Sequence, residues 1–513
     1  MLETFADFTL SWFDPSLMLL TAVGTLAGIY VGAIPGLSVT MATSILISFT
    51  FRWEVNDALA LIAGVFVGGV YGGSRTAILL NIPGAPSAIA TAIDGYPMAK
   101  RGEAGEAIGL TTVMSVFGGF IGIIALALFA PLISSFAIQF NSRDYFLLGL
   151  IGILLVGSLS GESFAKGAFA GALGVLIGMV GLDPMTAEGR FTFGSISLMG
   201  GIPYVAAMIG FFGVAEALAQ LHNLHLPAVK QKIDRIIPKW PDVKRYFWLA
   251  VRSSGIGTII GALPGTGGDI AALLAYDHAK RSTLNPEVPF GEGAKEGLVA
   301  PEAANNAAVG GAFVPMLTLG IPGDAVTAVI IGALFIHGLK PGPLLLVETP
   351  QLFWFIVGNL ALANTFLLVF GLTGIRIFTK IVECPKAVLI PLIIVFSAVG
   401  TYAIENNPTH VTWMLGFGVV GYFMKVYGFQ VGPVILGVIL GPMMDSNYRR
   451  AMIGARGDVG TFLWDFVSHP ISLVLSVSFI VLLISQTSLG GWIKRRRDVQ
   501  SPTPNRDVDG GGP

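Results

Sequence analysis

The sequence predicts an all-α, polytopic membrane protein of about 12 transmembrane helices, with two internally repeated halves containing Pro-Gly-broken helices or re-entrant hairpins. Three observations predict it. Of 513 residues, 53% are hydrophobic and 12% charged, against about 25% charged in an ordinary soluble domain. Apolar stretches of about 20 residues, enough to cross a bilayer, recur almost from end to end. Four Pro-Gly breaks fall inside such stretches, in the same order in each half. The 67 glycines and 34 phenylalanines suit packed membrane helices, where small residues let backbones approach closely. Soluble enzymes and disordered chains are excluded by the same numbers.

Apolar segments run near residues 16–34, 57–80, 105–137, 144–160, 164–182, 195–219, 246–263, 307–319 with 323–339, 351–378, 387–403, 412–442 and 466–486. They divide the chain into a short N-terminal segment (1–15), a first membrane half (16–219) and a basic linker (220–245). A second half (246–445), a C-terminal membrane segment (446–493) and a tail (494–513) follow. The linker holds Lys230, Lys232, Arg235, Lys239, Lys244 and Arg245 against Asp234 and Asp242, so the positive-inside rule makes it cytoplasmic. The tail starts at Lys494 with four basic residues and runs into Pro, Asp and Gly, which reads as cytoplasmic and disordered. The N-terminus carries Glu3, Asp7 and Asp14 and no base. It is expected outside, with targeting left to the first membrane helix rather than to a signal peptide. Arg449, Arg450 and Arg456 also favour the cytoplasm, although one span separates them from the tail; a place in a folded cavity would resolve that conflict.

The charge balance, 30 basic against 31 acidic residues, gives no reason to expect nucleic acid as a partner. Cys384 is the single cysteine, so neither an internal disulfide nor a thiolate metal site is expected, and it reads as a small apolar packing residue.

The repeat is the most informative feature. Gly28–Gly36 reads GIYVGAIPG and Gly257–Gly265 reads GTIIGALPG, an offset of 229. Asn81-Ile82-Pro83-Gly84 matches Gly320-Ile321-Pro322-Gly323 at an offset of 239. Two motifs repeated in order point to duplication of a half-chain. Pro removes a helical hydrogen bond and Gly favours turns, and lipid offers no water to satisfy the freed backbone. Such breaks persist where protein buries them or a polar cavity lies beside them, and paired broken helices are the best sequence pointer to a transporter's midplane site. Half-helix N-termini suit anions, and unwound carbonyls suit Na+.

The residues around the breaks are therefore the candidate site. For an anionic substrate they are Pro35, Gly36, Ser38, Thr40, Arg75, Asn81, Pro83, Gly84, Pro264, Gly265, Thr266 and Gly267. For a Na+ ion they are Asp269, Asn305, Asn306, Gly320 and Asp324. Each has a plainer reading. The hydroxyls could cap helices. Arg75, costly inside a membrane, could pair with Asp94 or Glu103 or snorkel to an edge. Asp324 could be a Na+ ligand, a proton carrier or a helix N-cap. The six histidines form no H-E-x-x-H motif, His222 and His225 lie in the basic linker, and no phosphate-binding loop occurs. Asp269 and Asp277 are too close in one segment to read as an intramembrane aspartyl protease. No enzyme is expected, and no cofactor.

At these motifs the chain resembles the large membrane subunit of the tripartite tricarboxylate transporters, the TctA family. The resemblance rests on GAIPG at 32–36, NIPG at 81–84, GALPGTGGD at 261–269, APEAANNAA at 300–308, LGIPGD at 319–324 and HGLKPGP at 337–343, and covers about residues 16–445. It implies a bacterial inner-membrane importer of tricarboxylates or related carboxylates, driven by an ion gradient, usually Na+. It also implies two partners, a periplasmic solute-binding protein and a small four-helix membrane subunit. By analogy with the tripartite ATP-independent periplasmic transporters, it implies alternating access of elevator type. A passive carboxylate channel or a carboxylate-binding membrane sensor would use the same cavity without ion coupling.

Overall fold

Apart from one antiparallel pair of two-residue strands, Gly181–Leu182 with Gly189–Arg190, the described structure is built from helices and their connections. The computed structural model describes residues 2–159, 163–183, 185–221, 236–374 and 386–486. Cys384, His222, His225, Lys230, Lys232, Arg235 and the tail 494–513 lie outside the described residues.

Among the described residues four helices are long and apolar enough to cross a membrane: Pro15–Ala33, Val55–Leu80, Ala104–Ala137 and Pro350–Thr373. A fifth span arises if Val459–Ser468 and Pro470–Ser485, which meet at 96°, are counted as one. About twelve was expected; several of the other apolar segments form shorter or divided helices. The 195–219 segment becomes a four-residue helix, Ile196–Met199, and a helix Tyr204–Gln220 whose Ile209–Val214 stretch widens to π geometry. The 412–442 segment divides into Pro408–Val426 and Gly432–Gly454. Residues 307–319 form the second half of Glu296–Leu319, which also carries Glu302, Asn305 and Asn306.

Each half follows one order of elements. Pro15–Ala33 stops at the first Pro-Gly, a short helix Val39–Thr50 follows, and the long helix Val55–Leu80 runs to the second. In the other half Phe247–Gly261, Gly267–Ser282 and Glu296–Leu319 take those places. The two long helices end alike. Asn81 (φ 56°) and Gly320 (φ 72°) are left-handed caps, and the next residue's N–H, of Ile82 or Ile321, reaches back to Thr76 or Pro315. This closure satisfies carbonyls that a helix end would leave bare. Short helices then begin, Ala88–Lys100 after one break and Ala325–Ile336 after the other. Gly36 (φ 91°) and Gly265 (φ 77°) hold the same left-handed conformation in the first and third breaks, open to glycine at little cost.

Small residues determine how these helices cross. A methyl group on Gly28 would stand 2.4 Å from the Val65 carbonyl oxygen, and on Gly257 2.1 Å from that of Ala304. On Gly32 it would stand 2.0 Å from the Gly69 oxygen, and on Gly261 2.4 Å from that of Ala308. Further along, Gly84 lies against Gly32 and Gly73, and Gly323 against Gly261 and Ala312. These contacts correspond residue for residue at the offsets of 229 and 239.

Val55–Leu80 and Glu296–Leu319 are buried along nearly their whole length, so their polar side chains need partners inside the fold. Arg75 donates to the Tyr71 hydroxyl (3.1 Å) and the Gly371 carbonyl (2.6 Å), and its guanidinium lies 5.0 Å from the Tyr71 ring. Glu302 accepts from the hydroxyls of Ser74, Thr91 and Ser115, each on a different helix. Asp94 takes the amides of Gly291, Gly293 and Ala294 and the Tyr276 hydroxyl, while Glu103 pairs with Arg101. Arg449 also has a folded place: it pairs with Asp183 (2.8 Å) and Asp445 (3.2 Å), and Arg190 joins Asp445 at 2.8 Å. The described part of the basic linker is tied to acidic residues as well, Lys239 to Glu106 and Arg245 to Glu287.

Because the crossings leave no room for a Cβ, Gly32→Ala and Gly261→Ala are each expected to destabilise the fold by about 1–3 kcal/mol, the usual cost of overpacking. Thermal unfolding of the purified variants in detergent checks this: each should melt below wild type, by similar amounts.

Candidate functional site

All four Pro-Gly regions open onto one cavity of about 1030 Å³. It is at the upper end of the range for small-molecule sites, about 300–1,000 Å³, large enough for a small polyanion with water. Of the residues singled out from sequence, Gly36, Ser38, Thr40, Pro83, Gly84, Gly265, Thr266, Gly267, Asp269, Asn305 and Asp324 line it. Pro35, Arg75, Asn81, Pro264, Asn306 and Gly320 do not. Asn81 and Gly320 are left-handed caps, and the buried Arg75 donates to the Tyr71 hydroxyl and the Gly371 carbonyl. Asn306 donates to the Glu302 carbonyl at 3.1 Å, and its side-chain oxygen is buried without a hydrogen-bond partner.

The breaks are stitched to one another. The Gly265 amide donates to the Gly323 carbonyl at 2.8 Å, joining the third break to the fourth. Asp269, in the first turn of Gly267–Ser282, accepts from the Ser87 amide at 2.9 Å, joining the third break to the second. Asn305 donates to the Val70 carbonyl at 3.1 Å, and its oxygen lies so close to Gly268 that a Cβ there would stand 2.1 Å away. The second glycine of Gly267-Gly268 therefore admits the Asn305 amide to the cavity wall.

The hydroxyls and one acid also have capping roles. Ser38 accepts from the Met41 amide at 3.0 Å and starts Val39–Thr50. Asp324 closes a capping box on Ala325–Ile336: its Oδ1 accepts from the Thr327 amide and hydroxyl, each at 2.7 Å, and the Thr327 hydroxyl accepts from the Asp324 amide at 2.9 Å. Capping and cavity lining coexist at this residue. Asp277 points elsewhere, pairing with Arg281 at 2.9 Å on an exposed surface, so Asp269 has no second acid beside it from its own helix.

Sequence reasoning passed over Glu216 and Lys425, which also line the cavity and form an ion pair with each other. The signal was present: each is a charged residue within an apolar stretch, by default a functional candidate in a membrane protein. Among the lining residues the acids are Glu216, Asp269 and Asp324, and the one ammonium is Lys425. The wall thus combines a net negative set of side chains with backbone amides at glycine-rich turns.

Residues 18–436 match the family described as Tripartite tricarboxylate transporter TctA family. The chain is 38% identical over 467 residues to an uncharacterised 52.8 kDa protein of the TAR-I ttuC' 3' region of Agrobacterium vitis, covering 90% of this chain and 92% of that one. A second protein of that organism, uncharacterised and from the TAR-II ttuC' 3' region, is 39% identical over 219 residues, 43% of this chain and 88% of its own. No solved structure matches.

The two roles of Asp324 separate by substitution. Serine also caps, whereas alanine does not, at a cost of about 1 kcal/mol. Asp324→Ser is therefore expected to melt near wild type and Asp324→Ala measurably lower, while both lose the charge and share any transport defect. Paired melting and uptake measurements on the two variants check this.

Proposed function

The chain belongs to the tripartite tricarboxylate transporter TctA family, and on that premise we propose that it carries tricarboxylates or related carboxylates through the bilayer by Na+-coupled alternating access. It is a transporter subunit rather than an enzyme. The observation that carries the proposal is the meeting of all four Pro-Gly regions at one cavity with Asp269, Asn305 and Asp324.

The division of labour follows from the chemistry of the wall. The amide of Gly36 and those of Gly267 and Gly268 in the first turn of Gly267–Ser282, with the hydroxyl of Thr40, are donors suited to carboxylate oxygens. Asp269, Asp324 and the Asn305 oxygen are hard oxygen ligands suited to Na+. What supports the coupling is charge. An anion held about 6 Å from a carboxylate is repelled by about 3 kcal/mol at an effective dielectric of about 20. A wall with three acidic side chains and one ammonium holds a polyanion more readily when cations enter with it. Binding of substrate and Na+ is then mutually favourable, which is the thermodynamic content of symport.

The corresponding contacts at offsets 229 and 239 support a duplicated half-chain, with residues 16–219 and 246–445 as its copies. In this reading one unit rides against the other as an elevator and exposes the cavity to each side in turn. The protein sits in the bacterial inner membrane with its C-terminus cytoplasmic and its N-terminus periplasmic. It works with a small four-helix membrane subunit and takes substrate from a periplasmic solute-binding protein. The carboxylate, Na+ and the lipid bilayer complete its partners.

The test is uptake of labelled citrate and dicarboxylates into proteoliposomes holding this chain and its small partner, with binding protein outside. Concentrative uptake that requires an inward Na+ gradient is expected; downhill uptake indifferent to Na+ overturns the coupling. Asp269→Asn and Asn305→Ala are each expected to raise the half-saturating Na+ concentration about tenfold, equivalent to about 1.4 kcal/mol. Unchanged Na+ dependence in both overturns the ion-site assignment.

A further inference from the structure

Glu216 and Lys425 form an ion pair at the cavity wall between two helices that otherwise meet through apolar and small residues. Their side chains are 18% and 29% exposed, so the pair is largely withdrawn from solvent. The packing around it fixes its register: the Phe211 and Phe417 rings lie 5.2 Å apart, and a methyl group on Gly210 would stand 2.5 Å from the Met414 carbonyl oxygen. The π stretch Ile209–Val214 ends two residues before Glu216. Such widened turns recur at functional sites, and here both Phe212 and Glu216 reach the cavity.

The pair extends into a chain of polar contacts. The other oxygen of Glu216 accepts from the Gln220 amide at 2.9 Å. That amide lies directly over Gly36 of the first break, where a Cβ would stand 2.0 Å from its carbon. Gly36, Gln220, Glu216 and Lys425 thus run in sequence from a Pro-Gly turn to the helix Pro408–Val426. Lys425 comes from a helix packed on Tyr204–Gln220 and Lys386–Glu405; Asp269 comes from one packed on Phe247–Gly261 and Glu296–Leu319. The ammonium and the acidic group therefore reach the cavity from different parts of the bundle.

We infer that Lys425 is the counter-cation for one carboxylate of the substrate, and that Glu216 holds its place while the cavity has no substrate. This rests on the carboxylate-transporter reading and deepens it. An arriving carboxylate exchanges with Glu216 on the ammonium, a like-for-like substitution that spares Lys425 a partly buried state without a counter-charge. A second carboxylate of the same molecule then reaches the amides of the Pro-Gly turns, so the Lys425 contact favours substrates with two or more carboxylates over monocarboxylates. Glu216 is a competitor and a positioning residue; Lys425 touches the substrate.

The two members of the pair should accordingly respond in opposite directions, which a purely structural ion pair would not do. In the reconstituted system, Lys425→Ala is expected to raise KM for di- and tricarboxylates at least tenfold, while Lys425→Arg stays within about threefold of wild type. Glu216→Gln is expected to lower KM severalfold, because the competing carboxylate is gone. At saturating substrate the half-saturating Na+ concentration should not move in either Lys425 variant. Binding of labelled citrate to detergent-purified variants with wild-type melting temperatures separates recognition from folding. If Glu216→Gln and Lys425→Ala raise KM together, or if Lys425→Ala folds and binds as wild type does, the inference is overturned while the transporter reading stands. If the wild-type chain itself moves no carboxylate, both readings fall.

Discussion

Gly28 and Gly32 on one helix, and Gly257 and Gly261 on its counterpart, bring bare Cα atoms against the carbonyl oxygens of Val65, Gly69, Ala304 and Ala308. The rest of the architecture depends on this approach. In lipid there is no hydrophobic gain from pressing helices together, so association rests on close packing and on contacts between backbones. With no side chain between them, Pro15–Ala33 lies on Val55–Leu80, and Phe247–Gly261 on Glu296–Leu319, along the stretch leading to each Pro-Gly break. Gly84 and Gly323 then dock on the glycines that end the partner helices. Unwound backbone is admissible at membrane depth only when protein buries it or it borders a cavity, and the same glycines provide both conditions.

The site carries its polar groups economically. Asp324 caps a helix and faces the cavity, Asp269 fastens one break to another through the Ser87 amide, and Asn305 spans from the Val70 carbonyl to the cavity wall. Side chains with a structural tether are held in one orientation. Behind the wall, Glu302 and Arg75 are satisfied by hydroxyls, a carbonyl and a ring rather than by each other. Their networks join helices of both halves.

Much of this was legible in the chain. Pro and Gly inside apolar runs mark backbone breaks by their covalent chemistry, and their repetition at 229 and 239 marked the four regions that meet. Eleven of the residues singled out around them line the cavity. What could not be read was where long-range contacts would put the charges. Arg75 reads from sequence as a candidate partner for an anion; in the fold its guanidinium donates to the Tyr71 hydroxyl and to the Gly371 carbonyl, 296 residues away. Lys425 and Glu216, 209 residues apart, were visible as intramembrane charges, but only folding pairs them on the wall. Hydropathy reads the length of apolar chain, whereas π turns and caps, which it does not register, divide some of those lengths into shorter helices.

Seven of the residues bordering the cavity are glycines, and at those positions its surface is main chain. Peptide groups are the same whatever the codon, so this part of the surface is closed to gradual revision by mutation; most replacements there collide with a neighbour or strain the turn. Inherited variation in what such a protein accepts has to enter through the few side chains that share the wall, among them Thr40, Glu216 and Lys425. A lineage can exchange those one at a time while the turns stay as they are. The fold separates a fixed main-chain surface from a small, adjustable set of side chains.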